Sequence, residues 1–267
     1  MHIEDRGYQF ADGVYEVCEV RAGHLIDESL HMQRLVRSLG ELRIPLPMSL
    51  RALSVVLHQV VRRNGIEYGI VYLQITRGVA RRDHAFPPVG TPPAIVVTAN
   101  RLDPAKIDKR AAEGIAVITL PENRWPRVDI KSIALLPNVL AKQQAREQGA
   151  NEAWYVATDG TITEGSSSNA WIITSDNQVI THAAEHGILR GVTRTVLLEA
   201  LKARHLTLVE RPFSLAEALK AREAFITSAS QIVIPVVRID GQPIGDGRPG
   251  PIAAALRGDF YRFAEES

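Results

Sequence analysis

The chain has 267 residues, 45% of them hydrophobic, enough to bury the core of one large domain or two smaller ones. Its 31 basic residues against 30 acidic ones leave a net charge of +1, which points away from nucleic acid and anionic membranes as partners. The single cysteine, Cys18, excludes an internal disulfide and fits a reducing, cytoplasmic compartment. The start, "MHIEDRGYQF", does not read as a signal peptide, and no apolar run reaches the ~18 residues of a membrane helix.

In chain order, "GVYEVCEVRAGHLI" reads as strand with an Ala-Gly turn. "DESLHMQRLVRSLGEL" reads as a helix with Asp27 at its N-cap and Leu30, Leu35 and Leu39 on one face. "MSLRALSVVLHQVVRRNG" is a second helix stopped at Gly65, and "YGIVYLQITRG" and "PAIVVTANRL" are β-branched strands. The polar stretch "DPAKIDKRAAEG" breaks the strand pattern and reads as the connection between two domains. The expected boundaries are 1–103 for an N-terminal domain, 104–112 for the connection and 113–267 for a C-terminal domain. Beyond it come a strand, "IAVITL", and a helix, "PNVLAKQQAREQG". Then "EAWYVATDGTITEG" carries an Asp159-Gly160 hairpin turn, and "NAWIITSDNQVIT" continues the strands. "GVTRTVLLEALKAR" and "SLAEALKAR" are helices, and "EAFITSAS" is a strand ending in a turn. Strands and helices mix in both halves without regular βαβ alternation, which favours α+β.

Lys131 stands out because its segment, "VDIKSIALLPNVL", is otherwise apolar. Taking an ammonium out of water favours the free amine, a nucleophile that forms Schiff bases with carbonyls. A lysine at a strand edge can equally snorkel to solvent. Glu164 sits at a strand end in "TITEGSSSN", beside a turn dense in hydroxyls and amide N–H groups that suit an anion. In "GILRGVTRTVLLEAL", Thr193 stands where a helix begins, a position that suits a phosphate or a plain N-cap. A reactive lysine, a carboxylate and a phosphate cradle are what pyridoxal 5'-phosphate requires, although spacing alone does not establish the set.

The chain resembles the class IV, or fold-type IV, pyridoxal-phosphate aminotransferases, and within them the D-amino-acid aminotransferases. "EDRGYQFADGVYEV", "YLQITRG", "RRDHAFP", "DIKS", "LLPNVLAKQQA", "TEGSSSN" and "LRGVTR" carry the resemblance over nearly the whole chain. It implies a two-domain α+β fold, with a smaller N-terminal α/β domain and a larger C-terminal domain built on a barrel-like mixed sheet. It implies that Lys131 binds the cofactor aldehyde and acts catalytically, and that Glu164 meets the pyridine nitrogen. Arg34, Val192, Thr193, Ser228 and Ala229 would hold the phosphate, Ser167 and Ser168 would lie beside the cofactor, and Leu189 would pack on its ring. Tyr15 would line the substrate pocket, and the Tyr72 hydroxyl would help hold the substrate carboxylate. Arg82 and His84, on a loop reaching the neighbouring subunit, would grip the substrate carboxylate, so a homodimer is implied. The implied reaction exchanges an amino group between a D-amino acid, such as D-alanine or D-glutamate, and a 2-oxo acid. On the same fold the alternatives are a branched-chain L-amino-acid transaminase, an (R)-amine transaminase and aminodeoxychorismate lyase.

Two departures stand against the resemblance. Ala229 replaces a hydroxyl residue usual in the family, which predicts weaker cofactor retention. Relatives also carry a further stretch before "EDRGYQF", so a shorter edge of the N-terminal sheet is expected. The histidines give no metal pattern; His182 and His186, four apart, fall in a stretch that reads as loop.

Overall fold

A computed structural model describes residues 2–184 and 187–267. Contacts divide the chain into two units. The first comprises Met1–Asp103, Ile130–Leu135 and Glu265–Ser267; the second comprises Pro104–Asp129 and Leu136–Ala264.

In the first unit the elements are α1 (Arg6–Phe10), β1 (Gly13–Arg21), β2 (His24–Leu25), α2 (Glu28–Glu41), α3 (Leu50–Arg63), β3 (Tyr68–Thr76) and β4 (Ala94–Arg101). The strands form an antiparallel sheet in the order β2-β1-β3-β4. Strand alternation assigns its faces. Val14, Cys18 and Val20 of β1 and Val71, Leu73 and Ile75 of β3 join Leu35 and Leu39 of α2 and Leu53, Leu57 and Val61 of α3 in one core. Tyr15, Val17, Tyr72 and Gln74 fall on the opposite face, where burial is incomplete. Asp27 precedes α2 as expected but in the left-handed conformation (φ 56°), with no side-chain cap bond. Its carboxylate instead accepts the Glu265 N–H at 2.9 Å, tying the 265–267 segment to this unit.

The second unit contains α4 (Pro104–Glu113), β5 (Ile115–Pro121), α5 (Leu136–Glu147), β6 (Glu152–Val156), β7 (Thr161–Gly165), β8 (Asn169–Ile173), β9 (Gln178–Thr181) and α6 (Val192–Ala203). It continues with β10 (Thr207–Glu210), β11 (Phe213–Ser214), α7 (Leu215–Lys220), β12 (Glu223–Ser228), β13 (Ile232–Ile239), β14 (Gln242–Pro243) and α8 (Pro251–Asp259). The stretch 104–112, expected as a bare connection, is most of helix α4, whose Ile107 and Ala111 pack on the second core. The strands form one mixed sheet in the order β10-β9-β8-β12-β13-β5-β6-β7-β11, with β14 beside β13. The pairs β13–β5, β5–β6 and β9–β10 are parallel. Strands β8, β12 and β13 are buried almost throughout because both faces are covered, in part by α6 and α8.

Candidate active site

Lys131 belongs to the first unit, carried by the segment that returns to it from the second. Ser132 forms a β-bridge with Val14. The Tyr15 N–H donates to the Lys131 carbonyl at 3.0 Å, and the Lys131 N–H to Ser38 Oγ at 3.3 Å. Residue 13 is glycine where both neighbours come close: a Cβ there would stand 2.7 Å from the Ile75 carbonyl oxygen of β3 and 3.0 Å from Ile133 Cδ1 of the segment. Lys131 is half-buried, its Nζ 4.1 Å from the centroid of the Tyr15 ring. Tyr15 stacks on Tyr72 at 5.6 Å. The Tyr72 hydroxyl donates to Gln74 at 2.7 Å, and burial pushes it up to about 12.

Arg34, on α2, makes a two-pronged bond to Glu16, Nε to Oε1 at 2.7 Å and Nη2 to Oε2 at 2.8 Å. Burial alone would raise the Glu16 carboxyl, but the guanidinium overrides it and holds the acid far below the usual range. His31 Nδ1 lies 2.8 Å from Glu16 Oε2, and burial lowers its pKa despite that carboxylate. This supporting layer was not foreseen. Its signal was an acid in the inward register of β1, between Val14 and Cys18.

Arg82 and His84 are exposed on the connection between β3 and β4 and gather around Phe10 of α1. The Arg82 guanidinium lies 4.9 Å from the Phe10 centroid and the His84 ring 5.5 Å. Arg6, bonded to Asp12 at 2.8 Å, also donates to the Asp83 carbonyl and anchors the loop.

In the second unit Glu164 is buried on β7. Its Oε1 accepts from Arg124 Nη1 at 2.6 Å; its Oε2 accepts from Asn169 Nδ2 at 3.0 Å and from the Leu189 N–H at 3.1 Å. Burial nevertheless pushes the carboxyl up to about 7. Asn169 also donates to the Leu189 carbonyl at 2.9 Å. Gly191 makes room for that amide, since a Cβ there would lie 2.1 Å from Asn169 Oδ1. Val192 and Thr193 open α6, whose N-cap Gly191 provides no side-chain cap, so the first-turn N–H groups point outward along the axis. Helix α6 packs against β12, at whose end Ser228 presents a buried hydroxyl with no partner among the described residues. Ala229 follows it, half-buried. The serines of the turn are engaged: Ser167 and Ser168 donate to Glu152 Oε2 at 2.8 and 3.2 Å, and Ser166 bonds Oε1 of the same acid. Among the described residues no group of histidine, cysteine or acidic side chains converges as metal ligands; His186 lies outside them. Trp125 is 40% exposed, so it is no core residue of its unit.

A sequence profile of the amino-transferase class IV family matches residues 13–239. The chain belongs to this family. It is similar to the D-alanine aminotransferase of Bacillus licheniformis, 43% identical over 250 residues, covering 94% of this chain and 87% of that protein. It is 38% identical over 261 residues to the D-alanine aminotransferase of Staphylococcus aureus (strain MSSA476), covering 98% and 91%. Among solved structures, the branched-chain amino acid aminotransferase of Escherichia coli superposes with a TM-score of 0.88 at 22% identity, covering 98% of this chain and 88% of that one. A hypothetical aminotransferase from Mycobacterium tuberculosis, solved in a PLP-bound form, matches with a TM-score of 0.86 at 23% identity, covering 98% and 92%. The α+β fold-type IV architecture expected from the motifs is the one these neighbours share.

Each unit of this class IV aminotransferase carries groups whose chemistry suits a phosphorylated pyridine aldehyde. The Ser228 hydroxyl, without a partner among the described residues, and the uncapped first turn of α6 suit a phosphate. A buried acid at Glu164 suits a ring nitrogen that carries a proton. Lys131 offers the amine beside an aromatic wall.

Proposed function

We propose that this chain transfers the amino group of a D-amino acid such as D-alanine or D-glutamate to a 2-oxo acid, holding pyridoxal 5'-phosphate as cofactor. When bound, that group supplies the aldehyde that takes the amino group and the electron-poor ring that draws charge from the substrate α-carbon. The observation that carries the reading is the 38–43% identity to D-alanine aminotransferases over nearly the whole chain, joined to the match of Lys131 and Glu164 to the chemistry required.

In this reading Lys131 would hold the cofactor aldehyde, and its free amine would act as base and then acid toward the substrate α-proton. Glu164 holds the proton on the ring nitrogen. The α6 turn at Val192 and Thr193, together with Ser228, the Ala229 backbone and Arg34, binds the phosphate. Leu189 packs on the ring, and Ser167 and Ser168 lie near it, held by Glu152. Tyr15 lines the substrate pocket, and the Tyr72 hydroxyl helps hold the substrate carboxylate. Arg82 and His84 take the substrate carboxylate, the guanidinium through two parallel bonds. That pair serves a neighbouring subunit, so the working unit is a homodimer. An apolar stripe on α5 supports the dimer: Leu136, Val139 and Leu140 are 69%, 58% and 60% exposed. The reaction is placed in the cytoplasm, in keeping with the lone buried Cys18.

A chiral substrate panel tests the reaction. D-Alanine with 2-oxoglutarate is expected to yield pyruvate while L-leucine and (R)-amines stay untouched; the reverse pattern overturns the D-amino-acid reading. Lys131→Ala is expected to remove turnover, and transamination at more than about a hundredth of the parent rate would remove Lys131 from its role.

A further inference from the structure

We infer that Arg124 is the positioning residue for Glu164: it aims the carboxylate and sets an opposite charge beside it, and Glu122 in turn fixes Arg124. The inference rests on the proposed pairing of Glu164 with the cofactor ring nitrogen. Neither the motif spacing nor the turn chemistry marks Arg124 in the sequence.

The geometry is a buried acid–base–acid row within the second unit. Arg124 Nη1 donates to Glu164 Oε1 at 2.6 Å. The opposite edge of the guanidinium grips Glu122, with Nη2 to Oε2 at 2.6 Å and Nε to Oε1 at 2.9 Å. The Arg124 backbone N–H adds a bond to Glu122 Oε1 at 3.1 Å, and Thr163 Oγ1 donates to Oε2 at 2.9 Å. The plane of the row is set by Tyr155, whose ring centroid lies 4.3 Å from the guanidinium carbon. The Arg124 and Glu164 side chains are 6% and 5% exposed. An arginine so placed has little rotational freedom, and its planar fork passes that order to Glu164.

Charge gives the row its purpose. Two carboxylates and one guanidinium leave the cluster with one negative charge too many for a buried place. The other groups that touch it, the Tyr155 ring, the Thr163 hydroxyl, the Asn169 amide and the Leu189 N–H, carry no positive charge. A protonated ring nitrogen beside Glu164 completes the balance. Before that nitrogen arrives, Glu164 is held near its midpoint at neutral pH by opposing effects: burial, which favours the neutral acid, and Arg124, which favours the anion. The cluster therefore discriminates in favour of a ring that carries a proton, and Arg124 sets how strongly.

The apo-protein offers a readout independent of turnover. The protonated-carboxyl stretch of Glu164, identified by its loss in Glu164→Gln, is followed by difference infrared spectroscopy against pH. The parent midpoint is expected at about 7. Arg124→Met is expected to move it upward by at least one unit, as loss of an adjacent opposite charge does, and Arg124→Lys to recover part of the shift. Arg124→Lys also covers the case in which Arg124→Met fails to fold. Because Glu122 itself pushes the Glu164 carboxyl up, only an upward move in Glu122→Gln supports Glu122 as the group that fixes Arg124, and a downward move counts against that role. An unchanged midpoint in the folded variants overturns the inference. In the loaded enzyme, Arg124→Met is expected to lower kcat more than it raises KM for D-alanine; the opposite split counts against a positioning role. Failure of the parent protein to take up pyridoxal phosphate would sink the functional reading separately, with the apo titration still deciding whether Arg124 controls Glu164.

Discussion

Glu164 has both oxygens bonded and still keeps a raised pKa of about 7, because burial outweighs three donors. The sign of the consequence follows from linkage. Unfolded, the acid titrates near its ordinary 4.5; folded, it holds its proton to about 7. Its contribution to stability is therefore complete below pH 4.5 and disappears as pH rises through about 7, a difference of about 3 kcal/mol. Urea denaturation of cofactor-free protein at several pH values is expected to show this decline, and Glu164→Gln to flatten it; an identical slope in the variant removes Glu164 as its source. At this scale the sequence was partly legible. Lys131 and Glu164 stand out because charge interrupts apolar pattern. Arg124, Asn169 and Glu152 did not, because what makes them matter is which distant side chain they touch: Arg124 and Glu164 are forty positions apart. Ser167 and Ser168 read as donors to an anion, yet the anion their hydroxyls meet is the chain's own Glu152.

Among elements, α6 and β12 would meet the demands of the proposed cofactor's phosphate from two sides. One offers backbone N–H groups and the positive end of a dipole; the other offers the Ser228 hydroxyl. Ala229 leaves that set one hydroxyl short. Ala229→Thr is expected to strengthen cofactor retention by ~1 kcal/mol, read as slower loss of the cofactor absorbance during dialysis; an unaltered rate would show that the missing hydroxyl is without effect. The helices and strands with clear period were legible, including α2, α3, β1, β3 and the β6–β7 hairpin with Gly160 at φ 83°. Two elements were not. Helix α4 looked like a connection because its polar residues hide a narrow apolar edge at Ile107 and Ala111. Strand β13 went unread because Pro235 breaks a strand pattern in sequence. In the structure it sits between β12 and β5, with Pro235 opposite Phe225.

For the whole molecule, association is the property that the exposed α5 stripe puts within reach of experiment. Leu140→Lys is expected to weaken the proposed homodimer by ~2 kcal/mol or more, seen as a monomer fraction in sedimentation velocity; a parent protein already monomeric at micromolar concentration would end the proposal. The division of the chain was legible only in outline. A break near Asp103 showed in the composition, but the transfer of Ile130–Leu135 to the first unit did not. That transfer is set by backbone bonds between Tyr15 and Lys131 and between Gly13 and Ile133, and such long-range pairing leaves no local mark. It has a practical corollary for anyone dividing the chain. Splitting the polypeptide after Asp103 would hand the lysine to one fragment and the strand that seats it to the other. The amine would find its dock only on reassembly, so recovery of the proposed lysine–cofactor adduct would report how well the two pieces rejoin.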